Sequence, residues 1–447
     1  MAASDNNGMR HEDEGVCVCE RPCSYDAFAQ ETSVADARPG LLADVRAFVN
    51  DLVDSEFDAM WEVSEDIHAH PQIAFEEKYA SELCRTVMAQ HGFEVADVCP
   101  KLPTSFGATF ARGVPAGDAP GAGAAVPRIA LFAEYDALPE MGHACGHNLI
   151  ATSAMLGGIA AKAAMEKFGI AGSIEVYGTP AEEDGGGKII MLNEGAFDGV
   201  DAVYLMHPTS AMTRIGGGCT SFSGTYVRFT GKPAHAESHP EDGVNAMDAA
   251  SLFHQAIGVA RQQLPDEVHI CDVIQSISHD IGRIPHEAFL EVEVSSTVGS
   301  HIAPALEVVE RCARGVAMAT GCEVEIEQLG GYLGRVPNGV LGDVARAELE
   351  AFGEPVMDGM PGDKGGEDLG DVSRVIPAVN IFGTILPERK ISGHTDEFRE
   401  LALSDNARHC LRVTAKALAT SAIALMLNPG LLDDAKAELK ERLAQER

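Results

Sequence analysis

The chain has 447 residues, 45% of them hydrophobic and 23% charged, which is enough for two or three domains with a sizeable core. Asp and Glu total 68 against 33 Lys and Arg, a net charge of −35. A surface this negative repels phosphate backbones and anionic lipid, which argues against nucleic acid and membrane surfaces as partners.

Residues 1–39 carry eight acids and three arginines, a net −5, so −30 lies on the rest of the chain. They show no periodicity and lack the basic and apolar regions of a signal peptide, so they read as a flexible leader. Cys17, Cys19 and Cys23 are closely spaced, but no second ligand cluster with zinc-finger spacing follows them. The eleven cysteines are odd in number and scattered. That pattern suits reduced thiols in a cytoplasmic protein rather than a disulfide framework. No apolar run reaches the ~18–20 residues of a membrane span, and 417–427 is too short.

Helical periodicity predicts helices over 41–68 and 76–91, the second closing at Gly92. Residues 112–127 are rich in Gly, Ala and Pro and predict a long surface loop. Strands then alternate with helices: strand 129–134, a helix of small residues over 148–167, strand 174–178, a short helix 188–194 and strand 202–206. This alternation predicts a parallel α/β sheet covered on both faces. After 216 the pattern changes to polar-faced alternating strands at 225–230, 289–298 and 322–329, with helices at 244–261 and 304–319. These predict a small α+β domain. After 332 the α/β style returns, with a helix near 338–352, a strand 378–382 and long C-terminal helices. The expected fold class is therefore α/β, with one α/β domain (40–216 and 332–447) interrupted by an inserted α+β domain (217–331).

Four segments place metal-capable side chains after apolar strands. They are Glu134-Tyr-Asp136 running on to His143-Ala-Cys145-Gly-His147, then Glu182-Glu183-Asp184, then Met206-His207-Pro208, and last Gly393-His394-Thr-Asp396. In an open parallel sheet, ligands bind beyond the carboxyl ends of the strands, so these segments are expected to converge. Thiolate, imidazole and carboxylate are zinc ligands that also accept related divalent ions. Glu182 and Glu183 are neighbours and cannot aim identically. One can bind metal while the other takes a proton from a water, the division that metal-assisted hydrolysis needs. Cys145, His147, Glu183, His207 and His394 make five ligands. That is more than a single four-coordinate zinc with an open position can take, and it fits two ions sharing a bridge. Gly185-Gly-Gly-Lys188 is a poor phosphate loop, because Ile189 stands where Ser or Thr is required. Two rival readings are a cysteine hydrolase with Cys145 as nucleophile and His147 or His143 as base, and a metal-bound scaffold or inactive subunit of a hetero-oligomer.

The run Ala133-Glu-Tyr-Asp-Ala-Leu-Pro followed by Gly142-His-Ala-Cys-Gly-His-Asn-Leu149 resembles the metal-binding signature of the M20 metallopeptidases. It is most similar to their amidohydrolase branch, where Cys replaces the usual bridging Asp. The resemblance extends to aminobenzoyl-glutamate hydrolase B subunits and to dipeptidases of the Xaa-Arg or β-alanyl-lysine kind. Segments 178–187, Met206-His-Pro208, Gly231-Lys-Pro-Ala-His235-Ala and Asp368-Leu-Gly-Asp-Val-Ser373 match in order.

The resemblance implies a dinuclear-metallopeptidase domain with an inserted lid that dimerises. It implies an enzyme that cleaves an amide bond in a dipeptide or N-acyl amino acid. The cofactor would be two divalent ions, zinc first and manganese as an alternative. Cys145 at the bridging position, His147, Glu183, His207 and His394 would be the ligands, Glu182 the general base, and Asp136 a carboxylate orienting a ligand. His235 would reach the partner's site and stabilise the oxyanion. Glu134 stands where other members have a metal-binding His, and it is left out of the ligand set. Relatives carry an Arg on a lid strand that holds the substrate carboxylate. Here that position is Ser295, so Arg283 or Arg335 would have to replace the clamp. The missing cation and the acidic body together favour substrates with a cationic end over an acyl-glutamate.

Overall fold

A computed structural model describes residues 40–113, 126–278, 280–359 and 365–446. The leader with Cys17, Cys19 and Cys23, and most of the Gly/Ala-rich segment 112–127, lie outside the described residues.

Helix α1 (Leu41–Ala69) buries Val45, Val49, Val53, Phe57 and Met60, a spacing of three or four that lays one stripe against the core. Helix α2 (Lys78–Gln90) follows after a turn. Strands β1 (Glu94–Ala96) and β2 (Phe106–Arg112) then lead to β3 (Arg128–Ala133). The α/β alternation continues through α3 (His147–Phe168), β4 (Gly172–Gly178), α4 (Gly187–Asn193), β5 (Ala202–Ser210) and β6 (Thr213–Ile215).

The next segment folds on its own sheet. It comprises β7 (Ser221–Thr230), α5 (Ala246–Ala260), β8 (Val268–Ile277), β9 (Glu287–Ser296), α6 (Ile302–Thr320) and β10 (Glu323–Tyr332). The chain then returns through α7 (Gly339–Ala351), β11 (Val356–Asp358), α8 (Leu369–Ser373) and β12 (Ala378–Leu386). It closes with α9 (Asp396–Leu401), α10 (Asp405–Leu427) and α11 (Gly430–Gln445).

Eight strands form the large sheet in the order β1-β2-β4-β3-β5-β12-β6-β11. Its centre is parallel, with β3 pairing β4 and β5, and β5 pairing β12. The sheet as a whole is mixed rather than parallel, because β2 pairs β4, β1 pairs β2, and β6 pairs β12 in antiparallel fashion. Strands β3 and β4 are buried almost throughout, as their continuous apolar runs require. One face of this sheet carries the main core with α1, α3 and α10; a second apolar cluster, which includes Phe132, Phe197 and Leu369, covers the other. Helix α10 is apolar enough to cross a membrane by composition, but 89% of its apolar window is buried, so it serves as a core helix.

The four-stranded sheet runs β10-β7-β9-β8, wholly antiparallel. Helices α5 and α6 cover one face over Phe229, Phe253, Leu290 and Val309. The alternating burial of β9 is the half-solvated pattern read from its sequence.

Candidate active site

The chain goes β3, α3, β4 on one side of β3 and then crosses to β5 on the other. This reversal opens a crevice beyond the carboxyl ends of the central strands. Glu134 leaves β3 there, and Cys145 and His147 lie at the start of α3. Gly146 between them takes a φ of +81°, and a Cβ at that residue would sit 2.6 Å from the Pro208 ring. Only glycine lets the Cys145 turn press against β5 so closely.

His207 departs from the expected placement. It lies within β5, opposite Phe382, not after the strand. Pro208 suggests a strand end, but pairing with β12 carries β5 on to Ser210. The His207 Nδ1 lies 2.8 Å from the Pro208 carbonyl, which leaves Nε2 to face Cys145 Sγ at 3.2 Å. His394 takes a left-handed φ of 56°, and its N–H donates to the Ala144 carbonyl at 3.1 Å, fastening its loop beside Cys145.

Three donor triples emerge: Cys145-His147-His207 and Cys145-Glu183-His394, which share the thiol, and His147-Glu182-Glu183. Glu183 lies 3.6 Å from His147 Nε2 through one oxygen and 3.4 Å from His394 Nε2 through the other. Donors bound to one ion at ~2.0–2.3 Å in tetrahedral geometry sit about 3.3–3.6 Å apart, so these spacings fit ligand edges. The His147 Nε2 and Glu183 Oε1 atoms are buried without hydrogen-bond partners, which a bound cation would repair. The residues present therefore fit divalent metal ions, with Cys145 common to two of the triples. Asp136 sets both frames. It lies 3.1 Å from His147 Nδ1 through Oδ1 and accepts from the Glu183 N–H through Oδ2 at 2.9 Å.

The sequence profile of Peptidase family M20/M25/M40 matches residues 130–419, which span this constellation. The chain belongs to that family. It is 33% identical over 408 residues to an Xaa-Arg dipeptidase of Mus musculus, covering 88% of this chain and 92% of that protein. It is 28% identical over 338 residues to the B subunit of the p-aminobenzoyl-glutamate hydrolase of Escherichia coli K12, covering 70% of this chain and 66% of the relative. In fold it is similar to a Bacillus subtilis dinuclear metal-binding peptidase of the M20 family, with a TM-score of 0.64, 20% identity, and coverage of 83% of this chain and 99% of that one. The protein is accordingly a metal-dependent hydrolase of amide bonds.

A second carboxylate lies beside these donors. Glu182 lies 3.8 Å from His147 Nε2 and lines the crevice. Burial, then the carboxylates of Glu134, Glu183 and Asp368, push its carboxyl well above the ordinary range. A carboxyl so placed has a raised affinity for a proton. Burial, then the Glu183 carboxylate, push the Cys145 thiol well up.

Several groups at the site carried no clear signal in the sequence. Lys188 is fully buried and donates to Glu134 Oε1 and Asp368 Oδ1, both at 2.6 Å. Burial opposes its charge, but Asp368 and Glu134 outweigh that and hold it protonated. Its place after three glycines shows why those glycines are not a phosphate loop: a Cβ on Gly187 would lie 1.7 Å from the Pro180 carbonyl oxygen. Glu134, left out of the ligand set, keeps its second oxygen unpartnered 3.6 Å from His147 Nε2. Tyr332, at the last residue of β10, donates from its hydroxyl to the Glu182 carbonyl at 2.8 Å and accepts from the Gly185 N–H at 3.3 Å. An aromatic at a strand end gave no warning of this link.

The remaining candidates are not brought to the crevice within one chain. His235 is exposed on the four-stranded sheet's side of the molecule. Its Nδ1 accepts from the backbone N–H of Glu237 at 3.3 Å and Ser238 at 3.2 Å, so the neutral ring carries its hydrogen on Nε2. Ser295 sits in β9 opposite Phe222 and His269. Arg335 is buried. It pairs with Glu367 and donates to the Gly217 carbonyl at 3.0 Å, so its charge is already answered inside the protein.

Proposed function

We propose that the protein is a dipeptidase that uses two divalent ions, zinc in the first instance, and prefers a cationic C-terminal residue. The observation that carries this is the pair of donor triples sharing Cys145 with the Glu182 carboxylate beside them. Cys145, His147, Glu183, His207 and His394 would hold the ions. When bound, the ions would acidify a water and polarise the scissile carbonyl. Glu182 takes the proton from the attacking water and passes it to the departing amine. Asp136 keeps His147 and Glu183 aimed while charge shifts. His235 from a second copy of the chain donates its Nε2 hydrogen to the oxyanion, in a homodimer formed through the four-stranded sheet domain.

Three observations support the cationic preference. Ser295 stands where a carboxylate-binding Arg is expected. Among the described residues no Lys or Arg lines the crevice, whereas Glu134, Glu182, Glu183 and Glu367 do. A relative covering most of the chain is named for Xaa-Arg cleavage. The unpaired thiols of Cys84, Cys99, Cys219, Cys322 and Cys410 suit a reducing compartment, and we place the enzyme in the cytoplasm.

The test is hydrolysis of dipeptides and N-acyl amino acids ending in Arg, Lys, Glu or Leu by protein reconstituted separately with zinc and manganese. The expected result is a kcat/KM at least about tenfold higher for Arg or Lys than for Glu, equivalent to about 1.4 kcal/mol. A preference for Glu would overturn the cationic reading, and metal-independent turnover would overturn the mechanism.

A further inference from the structure

Glu77 immediately precedes α2 and is fully buried. Its carboxylate does not cap its own helix. Instead Oε1 accepts from the backbone N–H of Phe75 at 2.8 Å and of Ala181 at 2.9 Å, and Oε2 accepts from Thr104 Oγ1 at 3.1 Å. The bond to Ala181 spans 104 residues of sequence.

Ala181 is the residue before Glu182, and its φ is +60°. A residue with a Cβ enters the left-handed region only when its surroundings hold it there. Both of its peptide groups are held: the N–H by Glu77, and the carbonyl by the Gly187 N–H at 3.0 Å. The chain leaves β4 at Gly178, so the backbone angles at Ala181 decide where the next two side chains point. If Ala181 relaxed to an ordinary φ, Glu182 and Glu183 would swing away from His147 and His394.

We propose that Glu77 is a positioning residue that locks Ala181 in its left-handed conformation and so aims Glu182 and Glu183 at the metal ligands. The proposal rests on the metal-dependent hydrolase reading above. It assigns the work to a hydrogen-bond acceptor, not to a charge. A glutamine could keep Oε1 for both N–H groups and turn its amide toward Thr104. An aspartate keeps the charge, but its arm is one methylene too short to reach Ala181.

The experiment compares Glu77→Ala, Glu77→Asp and Glu77→Gln with the wild type, all stripped of metal and reloaded with zinc. Zinc affinity is measured by competition with a chromogenic chelator, and kcat and KM on an Xaa-Arg dipeptide. Misaimed carboxylates should lower kcat about 10- to 100-fold in the Ala and Asp variants, with KM within about twofold and zinc binding weakened about tenfold. The Gln variant should stay within about threefold of wild type on every measure. Where the Ala variant does not fold, the Asp variant carries the comparison. The proposal is overturned if the Ala or Asp variant binds zinc and turns over like wild type, or if Gln is as damaging as Ala. A wild type that cleaves no dipeptide would sink the functional reading instead, and the zinc affinities of the Asp and Gln variants would still decide the part played by Glu77.

Discussion

Around the crevice at the end of the eight-stranded sheet, Glu134, Asp136, Lys188 and Asp368 are at most 1% exposed; on the four-stranded sheet, Glu323, Glu325 and Glu327 of β10 face solvent. Both regions are rich in acid, but only the first has to answer for it. A buried carboxylate needs a cation or a set of donors, and here the ligand geometry, Lys188 and backbone N–H groups supply them. The exposed acids of the four-stranded sheet are solvated and screened. They add to the charge of −35 without constraining any neighbour. Charge is thus a structural commitment in one sheet and a surface property in the other.

That contrast can be broken most forcefully at Glu182. Replacing it with Gln keeps shape and burial but removes the proton acceptor, so kcat should fall by about 10²–10⁴ while bound metal stays at the wild-type level. Near-normal turnover would mean the buried acids are structural only. Next in size is Lys188→Met, which keeps the volume and leaves Glu134 and Asp368 without their shared cation. Urea unfolding at fixed metal content should show a loss of about 3–5 kcal/mol. A loss below about 1 kcal/mol would show that the cluster does not depend on its lysine. The smallest effect belongs to the four-stranded sheet. Glu325 is 80% exposed and 4.0 Å from Arg228, so Glu325→Gln should change stability by no more than about 0.5 kcal/mol. A larger change in the same unfolding assay would erase the distinction between the two sheets.

How much of this could be read from the chain follows the same divide. Continuous apolar runs reveal β3, β4 and β5, and three-four spacing reveals α1, because burial writes itself into local pattern. The expected fold, an α/β catalytic domain with an inserted α+β domain, agrees with the architecture and with the family. The short strands β1, β6 and β11 leave too few residues for a period to show, and the β8 edge strand alternates only at its start. The donor residues announce themselves by type, since cysteine, histidine and glutamate after apolar strands are hard to explain otherwise. Their supports do not. Glu77 reaches Ala181 across 104 residues, and Lys188 reaches Asp368 across 180. Nothing local distinguishes such residues from a solvated glutamate or lysine. Lys188 sits in a glycine-rich segment that resembles a familiar motif more than it resembles its actual role.

The Tyr332 hydroxyl has a consequence of its own. It joins the last residue of β10 in the four-stranded sheet to the backbone of Glu182, so the two sheets are tied together beside the crevice. A shift of the four-stranded sheet that carried Tyr332 with it would strain or break that bond, and the backbone that carries Glu182 would feel it.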